Sequence, residues 1–294
     1  MGRPGLSDKA EILPPPDEEE KLLIGHIFED RLSLLTTEPV HSIPHKIHFI
    51  WIGSKPVSAS SIENIQSWMK LHPGWEVCFW NDNPESTVPV PGMTKCLVQS
   101  LRESPLYPLI ERSDNIGEKA DMIRYSILWL LGGVYADTDV LCIRPFDIWV
   151  NQFDFVIGLE RSHYHANINS SIIPCNAIVA SRPKHPILEQ TAKRIIAFWD
   201  RVGKQYPGTD RKSIHDRVVQ RTFDPLALTA KALYNDPLYR NIILPVIYFH
   251  SRGAFSPEEQ KRYIEEGLVW AIHQSRPSGA FEENAAISWL PSKP

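Results

Sequence analysis

The stretch KADMIRYSILWLLGGVYADTDV, Lys119 to Val140, decides how this chain is read. Ala120, Ile123, Ile127, Leu128 and Leu131 recur at helical spacing, so Glu118–Leu131 reads as a helix. Gly132-Gly133 ends it, and Val134-Tyr135-Ala136 starts a short strand. Asp137-Thr138-Asp139 sits at or just beyond the end of that strand. A lone Asp-x-Asp carries no weight, since about one is expected by chance in a chain this long. Its setting does. Two carboxylates two positions apart at the edge of a buried strand can converge on one hard divalent cation if the backbone turns there. In a straight strand they would share one face. The carboxyl end of a strand is also where α/β sheets bind polar ligands.

Asp121 and Arg124 lie three apart in the preceding helix and face the same way. On a surface they would form a minor ion pair. Their neighbours Met122, Ile123, Ile127 and Leu128 are apolar, and a largely buried helix does not keep an ion pair cheaply. A guanidinium fork there can bind phosphate or sugar hydroxyls, and an aspartate can accept from sugar hydroxyls.

Upstream, Ile43–Ile52 (IPHKIHFIWI) reads as a buried strand ending at Gly53, with Pro56 behind it. Ser60–Leu71 fits a helix capped by Ser61, with Ile62, Ile65, Trp68 and Met69 on one face. Trp75–Trp80 (WEVCFW) is a second strand, stopped by Asn81-Asp82-Asn83-Pro84. Strand, helix, strand makes a βαβ unit and hence a partly parallel sheet with helices on its faces. Downstream, strands are expected at Phe155–Leu159, Asn176–Ala180 and Ile242–Ile247, and helices at Ile187–Arg201, Asp224–Tyr234 and Pro257–Glu266. Residues 1–42 stand apart. Pro14-Pro15-Pro16 stiffens a polar arm, and Asp17 with Glu18-Glu19-Glu20 suits a helix start. Leu23, Ile24, Ile27, Phe28, Leu34 and Leu35 then form a helical stripe, expected to pack on the domain spanning 43–294.

Composition narrows the class. The 294 residues are 43% hydrophobic and 22% charged, enough for a sizeable core. Lys and Arg number 31 against 35 acidic residues, a net charge of −4, so no basic field points to nucleic acid or anionic membrane. No apolar run approaches the ~18 residues of a transmembrane segment. The N-terminus shows no leader, and Leu6 stands where a myristoylation signal wants Ser or Thr, so Asn169-Ser170-Ser171 reads as a chance sequon. Cys78, Cys96, Cys142 and Cys175 form no C-x-x-C pair, and Cys78 and Cys142 read as small core residues. His45, His48, His72, His163, His165 and His250 form no metal spacing; His163-Tyr164-His165 suggests a loop over an acceptor side.

From about Ile43 to Trp289 the chain resembles the DXD-containing glycosyltransferases of family 32, the fungal mannosyltransferase-like group, whose catalytic domain is related to that of the clostridial glucosylating toxins. The resemblance rests on IPHKIHFIWIGSKP with SWMKLHPGWEVCFWND, and on KADMIRYSILWLLGGVYADTDV. Weaker echoes are NAIVASRPKHPIL, DPLALTAKAL and a C-terminal AIHQS…SW. It implies an α/β, GT-A-like nucleotide-sugar-binding domain with a mixed, mostly parallel sheet flanked by helices. Asp137 and Asp139 match the pair that binds Mn²⁺ (or Mg²⁺) and, through it, the donor diphosphate. Asp121 and Arg124 match the helix residues that hold the donor sugar, and with the DXD pair form the expected catalytic set. Tyr135 matches the aromatic of the motif, and Trp51 the tryptophan that stacks on the nucleobase. His273 and Trp289 match a C-terminal pair that closes over the diphosphate, with His273 also a candidate metal ligand; Asn176 completes the expected donor-binding set. The segment between His273 and Trp289 is longer than the family's spacing, and Asp224-Pro225 stands where the family often has Gly-Pro.

The implied reaction is transfer of a hexose, with retention of configuration, from GDP-mannose or a UDP-hexose to a hydroxyl of a glycan, lipid or small molecule. No covalent nucleophile is readable, so a front-face mechanism stands equally open. Without a membrane anchor in view, the expected site of action is the cytoplasm, or the Golgi through a partner or peripheral contact. Two other readings compete. Asp137-Thr138-Asp139-Val140 fits the D-x-D-x-[TV] pattern of haloacid-dehalogenase-type phosphatases, although that motif normally opens its domain. A transferase-like domain that only binds nucleotide sugar or glycan is the other.

Overall fold

The computed structural model describes residues 43–160, 173–251 and 255–274, with parts of 25–35. Its centre is a seven-stranded sheet. In chain order the strands are β1 (Lys46–Ile50), β2 (Glu76–Asn81), β3 (Thr94–Leu97), β4 (Gly133–Ala136), β6 (Phe155–Leu159), β7 (Pro174–Ser181) and β8 (Asn241–Leu244). The missing number, β5 (Val140–Cys142), belongs to a three-stranded sheet with β9 (Phe249–Ser251) and β10 (Ala271–His273). The large sheet runs β3-β2-β1-β4-β7-β6-β8. Only the neighbours of β7 pair antiparallel; β3-β2, β2-β1, β1-β4 and β6-β8 are parallel. The fold is therefore α/β with a mixed, mostly parallel sheet.

Side-chain alternation explains the two faces. Ile47 and Phe49 of β1, Val77 and Phe79 of β2, and Val134 and Ala136 of β4 enter one core with Ile65 and Trp68 of the helix Ala59–Leu71. Their neighbours Ile50, Cys78, Trp80 and Tyr135 enter a second core with Met122, Ile123 and Ile127 of the helix Ile116–Leu131, and with Ile195 and Trp199 of Pro186–Gln205. Cys78 and Cys142 are buried, as expected of small core residues.

Helix boundaries follow from their caps. Asn115 rather than a residue inside the quoted stretch caps Ile116–Leu131, accepting from the Glu118 amide. The cap of Ala59–Leu71 is Ser58, not Ser61; Ser61 donates its amide to the Ser58 hydroxyl from within the first turn. Gly132 closes the long helix at φ 66°. Gly133 follows at φ 102°, and a Cβ there would lie 2.8 Å from the Lys46 carbonyl and 2.9 Å from His48 Nε2, so only glycine lets β4 settle against β1. His48 is fully buried. It accepts from Trp80 Nε1 at Nδ1 (3.1 Å) and so donates from Nε2 to the Gly132 carbonyl (2.9 Å), pinning the turn.

Strands β3, β5, β9 and β10 and the helices Tyr107–Arg112, Asp147–Gln152 and Arg211–Val218 were not anticipated. They are short and lack a full period of either pattern. Of the N-terminal stripe, Phe28 meets Tyr248 edge to face and Leu35 packs against the first core, while Leu23, Ile24, Ile27 and Leu34 lie outside the described residues; nearby, Arg31 donates to the Tyr239 carbonyl. So do the acidic run Asp17–Glu20, the sequon at Asn169 and the His163–His165 stretch. Among the described residues, no helix is long and apolar enough to cross a membrane.

Candidate active site

Strand order reverses at β1: β2 and β3 lie on one side of it and β4 on the other. At such a switch point the loops leaving adjacent parallel strands part to opposite faces, and a crevice opens at their carboxyl ends. Trp51 follows β1 there and Asp137 follows β4.

The backbone turns where convergence of the two aspartates requires it. The Asp137 amide still pairs with the Ala177 carbonyl of β7 (2.9 Å), and the Val140 amide then folds back onto the Asp137 carbonyl (3.0 Å). Asn64, buried on the inner face of its helix, donates to the Thr138 carbonyl at the tip of the turn (3.1 Å). Past the turn β5 begins, and β10 pairs antiparallel with it so that His273 stands opposite Val140. Its Nε2 comes 3.3 Å from Asp139 and 3.9 Å from Asp137. One ligand atom from each of Asp137, Asp139 and His273 lies within 4.8 Å of the others.

The helix Ile116–Leu131 supplies the other wall. Arg124 Nη2 lies 3.1 Å from Asp121 and 3.2 Å from Asp137, and Nη1 donates to the Asn176 carbonyl at 2.5 Å. Its guanidinium carbon sits 4.4 Å from the Tyr135 ring centroid, and the Tyr135 hydroxyl donates to Asp137. Asp121 and Arg124 thus do pair at i,i+3, but buried rather than on the surface. Asp121 also accepts from Asn176 Nδ2 (2.9 Å) and from the Thr222 hydroxyl (2.6 Å).

Protonation follows from burial and neighbours. Burial pushes the Asp121 carboxyl up, against the pull of Arg124, Thr222 and Asn176. Burial works against the Arg124 charge as well, but Asp137, Tyr135 and Asp121 more than offset it and raise its pKa. Asp139 loses to burial and gains more from His273, so it sits below the ordinary carboxylate range. His273 is penalised by burial, yet Asp139 and the Cys175 sulfur drive it up to about 11.

This donor set fits a divalent cation. With His273 protonated, three carboxylates stand against two cations at net −1; an imidazole that gives up its proton to ligate an ion would leave net −2, and two oxygens with one nitrogen suit Mn²⁺ or Mg²⁺. Arg124 Nε is buried with no hydrogen-bond partner among the described residues, which leaves one N–H for an anionic or hydroxylated ligand. Trp51 borders a separate concavity of about 320 Å³ with Gly53, Phe79, Asn81 and Asn83. Its indole N–H donates to the Lys55 carbonyl (2.7 Å), so the ring is held in place while part of it stays open. Trp289 lies outside the described residues.

Three residues of this network were missed in the sequence. Tyr125, one turn beyond Asp121, shares its face and bonds both Asn176 and the Thr222 carbonyl. Asn64 interrupts the apolar face around Ile65 and Trp68, a readable sign of a buried polar role. Thr222 carries no such local sign, because it belongs to a π-helical turn, Val219–Phe223.

Residues 58–156, which include Asn64, Asp121, Arg124, Tyr135, Asp137 and Asp139 but not Asn176, Thr222 or His273, match the family model described as glycosyltransferase sugar-binding region containing DXD motif. Over 166 residues the chain is 30% identical to Subversion of eukaryotic traffic protein A of Legionella pneumophila, covering 52% of this chain and 25% of that one. It is 25% identical over 173 residues to inositol phosphoceramide mannosyltransferase 1 of Schizosaccharomyces pombe, covering 57% and 47%. The chain therefore spans at most about half the length of these two relatives. The solved UDP-bound glycosyltransferase domain of the YGT toxin aligns over 70% of this chain and 80% of its own, with TM-score 0.49 and 11% identity. The region matched by the family model, residues 58–156, is about a third of the chain.

Proposed function

We propose that the chain carrying this region is a metal-dependent glycosyltransferase that moves a hexose from a nucleotide sugar to a hydroxyl acceptor. One observation carries the reading: Asp137, Asp139 and His273 converge beside an Arg124 that reaches both Asp121 and Asp137. Mannose is the first choice of sugar, supported by similarity to the relative named a mannosyltransferase, with glucose or galactose next.

Asp137, Asp139 and His273 would hold Mn²⁺ or Mg²⁺, which supplies charge stabilisation to a departing diphosphate. The chain's own residues do the rest. Asp121, fixed by Thr222 and Asn176, accepts from hydroxyls of the donor sugar, and its negative charge favours an oxocarbenium-like centre. Arg124 holds Asp121 and Asp137 at a fixed spacing and offers its buried Nε–H to the donor. The Trp51 face suits a nucleobase, worth about 1–3 kcal/mol. Retention follows the family resemblance, and with no nucleophile assigned, a leaving phosphate that helps deprotonate the acceptor accounts for it.

The test is a thermal-shift panel of GDP-mannose, UDP-glucose, UDP-galactose, GDP and UDP, with and without Mn²⁺, on wild type and Asp139→Asn. A shift with one nucleotide that needs Mn²⁺ and vanishes in the variant is expected. A folded protein stabilised by no nucleotide, or one that hydrolyses an aryl phosphate with Mg²⁺ instead, refutes the reading.

A further inference from the structure

The helix Ile116–Leu131 is joined to the π-helical turn Val219–Phe223 along one face. Glu118, Asp121 and Tyr125 share that face at i, i+3 and i+7. Arg221 Nη1 lies 2.9 and 3.2 Å from the two Glu118 oxygens, and the Thr222 hydroxyl lies 2.6 Å from Asp121. The Tyr125 hydroxyl donates to the Thr222 carbonyl (3.1 Å). Asp121 belongs to the donor site; Glu118 stands one turn earlier, outside the donor set.

Three elements seat the Glu118–Arg221 contact. Glu118 is only 1% exposed, although a first-turn acid can serve the helix dipole from the surface. It accepts from the Ser113 hydroxyl (2.6 Å), and Arg217 Nε stands 3.6 Å away. Arg221 donates from Nε to the Trp199 carbonyl (3.2 Å), and its guanidinium carbon lies 4.1 Å from the Trp199 ring centroid. Gly203, one turn further along Pro186–Gln205, leaves the remaining space: a Cβ there would overlap Arg221 Nη2. Glycine inside a helix is less stable than alanine, so this one trades helix stability for the guanidinium's seat. The π turn is itself a rare departure from α-helical bonding. Within it the Thr222 hydroxyl has one proton and two acceptors in reach, Asp121 and the Val218 carbonyl of its own helical segment at 2.8 Å. A carboxylate is the stronger acceptor, provided the turn stays against Ile116–Leu131.

We propose that Arg221 is a positioning residue for the donor sugar: its pair with Glu118 fastens the π turn to the helix Ile116–Leu131 and so keeps the Thr222 hydroxyl on Asp121. Released from Glu118, the turn lets that hydroxyl return to the Val218 carbonyl, and Asp121 is left with Arg124 and Asn176. Sugar binding then weakens, while the metal and diphosphate contacts of Asp137, Asp139 and His273 persist on other elements. The inference rests on the transferase reading, in which Asp121 holds the sugar.

The experiment compares wild type, Arg221→Met, Gly203→Ala and the double variant Gly203→Ala/Arg221→Met as full chains. Arg221→Met keeps most of the stem and removes the charge. Gly203→Ala touches neither ion-pair partner and expels the guanidinium, for which the adjoining cavity of about 560 Å³, lined by Arg112, Ile214 and Arg217, has room. Each protein is titrated by calorimetry with GDP-mannose, UDP-glucose, GDP and UDP in the presence of Mn²⁺. Hydrolysis of the donor, which needs no acceptor, gives kcat and KM, and the unliganded melting temperature checks folding. Both single variants are expected to lose about tenfold in nucleotide-sugar affinity and in kcat/KM, the weight of one charge-assisted hydrogen bond, with diphosphate affinity within about twofold of wild type. In the double variant Gly203→Ala adds nothing further, because methionine has no Nη2 to displace. A pair that serves the fold alone would lower the melting temperature and leave the ratio of sugar to diphosphate affinity unchanged. Should Arg221→Met fail to fold, Gly203→Ala decides. Wild-type sugar affinity in folded Gly203→Ala, equal losses for sugar and diphosphate, or additive losses in the double variant overturn the proposal. A wild type that binds no nucleotide refutes the transferase reading and this inference together, whereas normal donor use by wild type and variants alike refutes this inference alone.

Discussion

Arg124 and Asp137, one on a helix and the other just past the next strand, form a 3.2 Å ion pair, and the same guanidinium nitrogen lies 3.1 Å from Asp121. One cation thus fixes the distance between the carboxylate assigned to the sugar and the first carboxylate assigned to the metal. It also neutralises one of three negative charges in a crevice that would otherwise be costly to assemble.

Removing that cation should therefore cost both stability and binding. Arg124→Ala leaves two buried carboxylates without their partner and is expected to destabilise by about 3–5 kcal/mol in urea unfolding. Arg124→Lys, which keeps charge without the fork, should lose less stability but still weaken nucleotide-sugar binding at least tenfold. A loss under about 1 kcal/mol in Arg124→Ala would show that the pair is not a structural link.

The metal assignment predicts separable effects. Asp139→Asn and His273→Ala should each abolish saturable Mn²⁺ binding, followed by the electron paramagnetic resonance of free Mn²⁺, while retaining a cooperative unfolding transition. His45→Ala, whose imidazole is stacked on Trp75, should bind Mn²⁺ as wild type does. Unchanged Mn²⁺ titrations in both site variants would place the ion elsewhere.

Thr222 gives a prediction that sequence inspection would not suggest. Thr222→Val preserves shape and removes the 2.6 Å hydrogen bond to Asp121, for a loss of about 2 kcal/mol in stability. Because Asp121 is also loosened, kcat/KM for transfer should fall tenfold or more, and Thr222→Ser should recover most of it. Wild-type kinetics in Thr222→Val would remove Thr222 from the positioning network.

Acid lability follows from the buried histidines. Burial lowers His48 and His185 to about 4 from the ordinary 6.5. The unfolded chain then takes up protons between those values and the folded one does not, so stability is complete above pH 6.5 and declines as pH falls toward 4. Between pH 6.5 and 5 each should forfeit ~2 kcal/mol. His48→Gln keeps a donor for the Gly132 carbonyl and should flatten the pH dependence of the urea midpoint. An identical slope in the variant would contradict this account.

How much was legible follows from the range of each signal. The helix before Gly132 and strands β1, β2, β4 and β6 were read within a few residues, since apolar periods of 3.6 and 2 are local properties. Ser58 displaced Ser61 as a cap because both hydroxyls stand near the helix start and only backbone geometry chooses between them. The short strands β3, β5, β9 and β10 span only three or four residues each, too few to show a period.

For the site, the sequence by itself determined that Asp121, Arg124, Tyr135, Asp137 and Asp139 share one neighbourhood, because one helix, one tight Gly-Gly turn and one strand leave them nowhere else to go. Tertiary structure decided the rest. Antiparallel register of β10 on β5 puts His273 opposite Val140 and so beside Asp139, and a π-helical turn puts Thr222 on Asp121. Both depend on pairing and packing between segments far apart in the chain. Such contacts form only when the whole core closes, and no short-range pattern encodes them.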